Sequence, residues 1–172
     1  TKSGTNGFKG VVFGYHSNHL WGAKNLFFNP NTPAGPGIPQ RIDNQYGGTF
    51  GGPIVRDRVH YFTSYEYERE PSTITFNSPW PSFNIDLPSA RTQHKAATRV
   101  DTQVTSKTRF SLYGNLWRDY QPVAPTLVGG AERHPSTSVF FNQASNTTQG
   151  VLTQVLTNQT LNELRGGWAN TY

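Results

Sequence analysis

Three groups of residues have the types and spacing from which functional sites are built. Glu66 and Glu68 flank Tyr67, with Glu70 and Asp86 following. On an extended strand two carboxyls at i and i+2 share a face about 6.5–7 Å apart, which suits general acid–base attack on a glycosidic bond. Charged residues on a wetted strand face explain the same pattern more simply, and that reading is adopted. His16 and His19, with His60, His94 and His134 elsewhere, invite a metal site, but no third ligand is identifiable beside the first pair. They are read as loop histidines, with no metal assigned. The cluster Gly47-Gly48-Thr49-Phe50-Gly51-Gly52 lacks the Lys-Ser/Thr ending and following helix of a phosphate loop. Glycines in a strand mark bends or close backbone approach instead. There is no recognisable Ser/His/Asp order and no Cys for a thiolate nucleophile. No catalytic, metal-binding or cofactor-binding residue is therefore assigned, and the chain is not expected to be an enzyme.

The elements that carry these residues are strands. Of 172 residues only 34% are hydrophobic and mean hydropathy is negative, yet the chain has 8 Tyr, 11 Phe and 4 Trp. A disordered chain lacks such aromatics. With 17 Gly and 12 Pro the composition fits strands joined by turns and loops. No apolar run approaches the roughly 18 residues of a membrane helix, a criterion that leaves strand-built membrane proteins open. The chain opens Thr1-Lys2-Ser3 and has no Met, so it is expected to be a processed or partial product. Net charge is +5. Basic residues, among them Lys9, Arg41, Arg56, Arg58, Arg91, Lys95, Arg99, Lys107 and Arg109, are scattered without a dense run. That distribution suits attraction to anionic lipopolysaccharide or anionic ligands, and no nucleic-acid partner is expected.

Seven β-rich segments are read at about 7–16, 44–53, 58–68, 94–104, 108–120, 148–157 and 161–172. Long spacers at about 17–43, 70–93 and 121–146 alternate with the short links Ile54–Asp57, Thr105–Lys107 and Asn158–Thr160. Long-short alternation is the pattern of an up-and-down barrel with short periplasmic turns and extended external loops. The expected fold is all-β: an antiparallel up-and-down meander forming part of an incomplete transmembrane β-barrel. Period-two alternation supports it. In the third segment Val59, Tyr61, Thr63, Tyr65 and Tyr67 oppose His60, Phe62, Ser64, Glu66 and Glu68. In the fourth, Ala96, Thr98, Val100, Thr102 and Val104 oppose Ala97, Arg99, Asp101 and Gln103. The fifth is ambiguous, with Phe110, Leu112, Gly114 and Leu116 against Tyr113, Asn115 and Trp117.

Several passages resemble a known family. Thr1-Lys2-Ser3-Gly4-Thr5-Asn6-Gly7-Phe8-Lys9-Gly10 resembles the passage where plug hands over to first barrel strand in Oar-like TonB-dependent receptors, which typically carry a carboxypeptidase-regulatory-like domain. Asn25-Leu26-Phe27-Phe28 is similar to a loop element of that family. The run from Asn44 through Pro53 to Arg58, followed by Tyr61-Phe62 and Tyr65-Glu66, resembles its next strand and turn. Thr98-Arg99-Val100-Asp101 and Asn162-Glu163-Leu164-Arg165-Gly166-Gly167 resemble later strands. The resemblance implies a plugged barrel of about 22 strands driven by an inner-membrane TonB complex, of which this sequence holds neither plug, TonB box nor later strands.

The functional expectation is thus a segment of a TonB-dependent receptor barrel in the bacterial outer membrane, serving ligand uptake within the full-length protein. Its implied partners are outer-membrane lipid and lipopolysaccharide, the TonB complex through the plug region, and a ligand captured at the loops. Trp21, Trp80, Phe83 and Arg91 are the candidate ligand contacts. The alternative is a β-rich structural protein that self-associates into a fibre or surface layer through open strand edges.

Overall fold

A computed structural model of the protein describes residues 3–21, 42–76, 79–123, 134 and 139–172, with backbone alone at 19, 73–75 and 86. Thr1-Lys2, the Asn25–Phe28 element, the Asn29–Gly37 run and most of the third long loop lie outside the described residues.

Among the described residues the chain forms β1 (Lys9–Asn18), β2 (Ile42–Val55), β3 (Val59–Glu70), β4 (Thr73–Phe76), β5 (Ile85–Pro88), β6 (Arg91–Thr105), β7 (Thr108–Gln121), β8 (Phe141–Thr157) and β9 (Thr160–Thr171). Seven of these make one antiparallel sheet in the order β1-β2-β3-β6-β7-β8-β9. The small β4-β5 hairpin stands apart, so every long strand pairs with its next long neighbour in sequence. This is the expected all-β meander, and it is not closed: β1 and β9 are its edges. The long strands run 10–17 residues, enough for the roughly 9–11 that cross a hydrocarbon layer.

Two local features differ from expectation. The stretch 70–93, read as irregular, carries the β4-β5 hairpin and a single 3₁₀ turn at Pro81–Phe83. Four alternating residues, Thr73-Ile74-Thr75-Phe76, are too few to stand out from the Pro and Ser around them. The hairpin is tied down at Ser89, which is fully buried. Its N–H donates to the Ser72 carbonyl at 2.8 Å and its Oγ–H to the Val123 carbonyl, while Gln121 Nε2 donates to Ser89 Oγ at 3.1 Å. The sixth long strand, β8, begins at Phe141, seven residues before the expected Thr148. Asn142, Gln143, Ser145 and Asn146 have low strand propensity, but the ladder to β7 supplies their backbone partners, from Gln121↔Phe141 to Leu116↔Asn146.

The short links are tight hairpins. Arg58 N–H bonds the Val55 carbonyl at 3.1 Å across Arg56-Asp57. Asp57 has φ 62°, a left-handed conformation that Asp tolerates better than most residues. At the other two, Thr105 Oγ1 accepts from Lys107 N–H at 3.3 Å and Thr157 Oγ1 from Gln159 N–H at 3.2 Å. Threonine thus closes both turns through its own side chain.

Directly opposed residues point to the same side of a sheet, so the register propagates each face from strand to strand. Tyr61↔Val100↔Leu112↔Gly150↔Gly166 trace one face, with Tyr65↔Ala96↔Leu116 beside them. Glu66↔Lys95↔Trp117 and His60↔Asp101↔Ser111 trace the other. The ambiguity in β7 disappears: Phe110, Leu112, Gly114 and Leu116 extend an apolar face, and Tyr113, Asn115 and Trp117 stand among polar partners. Many large apolar side chains of that first face are exposed, Phe50, Tyr65, Leu112, Leu116 and Leu164 among them. Among the described residues Ala144 is the one buried hydrophobic residue, so the sheet has no dry core of its own.

Candidate functional site

The chemistry of the sheet is concentrated on its polar face. At the centre, Lys95 Nζ donates to Glu66 Oε1 at 2.8 Å and Glu68 Oε2 at 2.9 Å. Glu66 is its direct cross-strand partner and Glu68 the diagonal one. The two carboxylates spaced as an acid–base pair are therefore bound to one cation. Asp86, the more distant of the carboxylates named with them, has its side chain outside the described residues.

Toward the long loops, Asp119 is buried and accepts from Arg91 Nε at 2.9 Å and Nη2 at 2.5 Å. Arg91 lies on β6, where Gln93 is the register partner of Asp119, so the ion pair runs diagonally across the ladder. Toward the short turns Asp101 is the hub. Arg99 chelates it through Nε at 2.7 Å and Nη2 at 2.9 Å, Arg109 Nη2 approaches at 3.0 Å, and Ser111 Oγ donates at 2.5 Å. Arg99 also lies over the Tyr113 ring, 4.8 Å from its centroid. On the outermost strand Arg165 Nε donates to Glu163 Oε1 at 2.6 Å. A carboxylate shielded from water has a large desolvation cost, which these bidentate and bridging contacts offset.

Two grooves lie along this lattice. One of about 390 Å³ spans Phe13, Thr49, Glu66, Lys95, Asn115 and Thr147. The other, of about 480 Å³, is bordered by Arg99, Arg109, Tyr113, Gln149, Glu163 and Arg165. Both are open and lined by fixed charges and aromatic rings.

The N-terminal residues run onto the same face. Gly4 lies so close to Tyr61 that a Cβ there would collide with the Tyr61 carbonyl oxygen and amide nitrogen. Asn6 then fastens the segment: its Nδ2 donates to Asp57 Oδ1 at 2.6 Å, its Oδ1 accepts from Asp57 N–H at 2.9 Å, and His60 Nε2 meets the same Oδ1 at 2.7 Å. Residues Ser3, Gly4 and Thr5 border a further hollow with Val11, Thr49 and Phe62.

The candidate ligand contacts separate. Trp21 ends a 3₁₀ turn after β1, 75% exposed, with its ring edge against His16 at 5.3 Å. Trp80 and Phe83 share the Pro81–Phe83 turn and are 70% and 58% exposed. All three stand at the long-loop end of the sheet. Arg91 lies on the polar face below them, engaged with Asp119. Histidines 16, 60 and 94 each meet a different partner: Asn44 Oδ1, Asn6 Oδ1 and the Tyr65 hydroxyl, all at 2.7 Å. The His134 ring sits against Phe76, and the His19 side chain is outside the described residues. No group of three metal-ligating side chains is gathered among the described residues.

Asp119, Arg109 and Ser111 were missed as members of a site. Alternation along β6 already placed Arg99 and Asp101 together, but a neighbour on the next strand is set by register. The two-residue turn at Ser106-Lys107 could not have found them: it counts Asp101 onto Leu112, and a bulge between Gln103 and Thr105 shifts the ladder by one to bring Gln103 onto Arg109 and Asp101 onto Ser111.

The glycine cluster makes room for rings. A Cβ on Gly47 would lie 2.5 Å from Phe13 Cζ and 2.7 Å from the Tyr65 carbonyl oxygen.

Residues 1–85 match a family model described as an outer membrane beta barrel domain. No curated protein and no solved structure matches the chain.

Proposed function

From the premise that the chain is part of a β-barrel protein of the bacterial outer membrane, we propose that it forms the opening strands of a TonB-dependent receptor's wall. In this reading the apolar face meets lipid, the polar face lines the lumen, and the short turns are periplasmic. The observation that carries it is the path of Ser3–Gly7. These residues reach β1 along the lumen face and are pinned there by Asn6, as a chain arriving from a plug inside the barrel would be. A simple porin has no reason to thread its first strand from within.

The lattice then gives the lumen its chemistry. Lys95 with Glu66 and Glu68, Arg91 with Asp119, and Arg99 and Arg109 with Asp101 present alternating fixed charges to a ligand or to a docked plug. Trp21, Trp80 and Phe83 stand at the external mouth, where exposed rings offer a first contact at low conformational cost. Ligand uptake belongs to the whole receptor, with energy delivered by the TonB complex through the plug.

The gene upstream of Thr1 tests this directly. A plug and TonB box encoded in frame are expected; an independent start with its own signal peptide would overturn the proposal. In cells, uptake of the ligand should stop when the proton gradient is collapsed. The open edges β1 and β9 favour one second reading, self-association by strand addition, for which electron microscopy of the isolated chain should show filaments.

A further inference from the structure

The two faces of the sheet differ in which charges they carry as well as in polarity: one mixes both signs, the other bears cations alone. Every carboxylate on the seven long strands takes a lumen-facing position: Asp43, Glu66, Glu68, Glu70, Asp101, Asp119 and Glu163. The lipid face carries only two formally charged residues, and both are arginines: Arg69 on β3 and Arg118 on β7. They are neighbours. One strand, β6, separates them, and their direct partners on it are Thr92 and His94. Strand spacing and rise put their Cα atoms about 12 Å apart, a gap that two extended arginine side chains close.

Their depth is as telling as their sign. Each is the first charged position beyond the apolar band on its strand, after Tyr65 and Tyr67 on β3 and after Leu112 and Leu116 on β7. An outward arginine is strongly disfavoured at the bilayer midplane and tolerated at the interface. Both sit toward the long-loop end, so with the loops outside the cell they lie at headgroup depth in the outer leaflet. That leaflet is lipopolysaccharide, whose sugar headgroup carries phosphates.

Arg118 is already held along the surface. Its Nη1 donates to the Trp117 carbonyl at 2.9 Å and Asn146 Oδ1 at 3.0 Å, and its guanidinium lies 5.8 Å from the Tyr172 ring centroid. Its Nε and Nη2 make no hydrogen bond among the described residues, and no carboxylate faces it. Arg69 is exposed and makes no ion pair among the described residues. Everywhere else on the strands, arginine is matched with Asp or Glu across the lumen face. We propose that Arg69 and Arg118, with His94 between them, form a seat for the phosphate groups of lipopolysaccharide on the outer wall. The inference rests on the barrel and on the loops lying outside the cell, and is independent of ligand uptake.

The test uses the intact protein extracted from outer membranes and returned to detergent with defined lipids. Arg69→Gln/Arg118→Gln is compared with the unaltered protein for retention of bisphosphorylated lipid A, read by native mass spectrometry. At about fivefold for each basic group at an anionic surface, retention should fall about 25-fold. Dephosphorylated lipid A should bind both proteins alike, and inorganic phosphate should not displace the lipid at matched concentration. Lys107→Gln, which removes a charge at the opposite end, should change nothing. Unchanged retention in the double variant, an equal loss in Lys107→Gln, or displacement by free phosphate would each overturn the proposal. If the double variant does not reach the heat-modifiable folded form, Arg69→Gln carries the fivefold test alone. Loss of uptake with lipid A retention intact would count against the transport reading and leave this one standing.

Discussion

Gly114 and Asn115 are consecutive, yet a single charge placed at one or the other should have opposite consequences. Gly114 pairs with Thr98 and Thr148 on the lipid face, and Asn115 pairs with Ala97 and Thr147 on the lumen face. Along β7 the outward residues Phe110 and Arg118 lie four positions to either side of Gly114, about 13 Å each way. Gly114 is therefore at the middle of the apolar band. A side chain there meets nothing within 4 Å of its Cβ, so steric collision does not confuse the outcome. Gly114→Arg should cost about 2–4 kcal/mol, the price of a guanidinium at the midplane. Asn115→Arg should stay within about 0.5 kcal/mol of the parent, because its charge enters a wet lumen lined by others. Gly114→Ala should stabilise by about 0.5–1 kcal/mol through loss of unfolded-chain freedom. The assay is equilibrium urea unfolding of the intact protein in lipid vesicles, followed by tryptophan fluorescence, with heat-modifiable gel migration as the check on assembly. Equal costs for the two arginines, or a Gly114→Arg protein as stable as the parent, would refute the face assignment and with it the membrane geometry.

Three further outcomes follow from specific contacts. Asp119→Ala strands Arg91 beside a buried vacancy and should cost about 2–3 kcal/mol, below the full value for a buried pair because Arg91 is about a third exposed; Arg91→Met/Asp119→Leu should recover most of it in the same unfolding measurement. Gly47→Ala should cost about 1–3 kcal/mol, since its methyl meets the Phe13 ring and the Tyr65 carbonyl, and a Phe13→Leu background should relieve the part due to the ring. Asn6→Ala removes three contacts that hold the N-terminal segment to Asp57 and His60, so limited proteolysis should cut near Gly7 at least several-fold faster while the urea midpoint of the sheet moves by about 1 kcal/mol or less.

Much of this protein is determined locally, and that part was legible in the amino-acid sequence. Alternation of Tyr61, Tyr65 and Tyr67 against Glu66 and Glu68 needs only the two-residue period of an extended chain. The three tight links need only short-range turn chemistry, such as Asp57 in the left-handed region or Thr105 and Thr157 closing on their own backbone. Together these determined strands, meander order and which ends of the strands lie together. The β4-β5 hairpin and the first seven residues of β8 were not legible, because they are held by partners, Ser89 with Val123 and β7 with Asn142–Asn146, rather than by their own propensity. The tertiary structure alone decided the rest. A residue's cross-strand neighbour depends on register, and register is a property of two strands: shifting one by a single residue exchanges every partner and both faces. Hence the bonding of Glu66 and Glu68 to Lys95, the assembly of Arg99, Arg109 and Ser111 around Asp101, and the isolation of Arg69 and Arg118 on the lipid side arise only once β3, β6 and β7 are laid side by side.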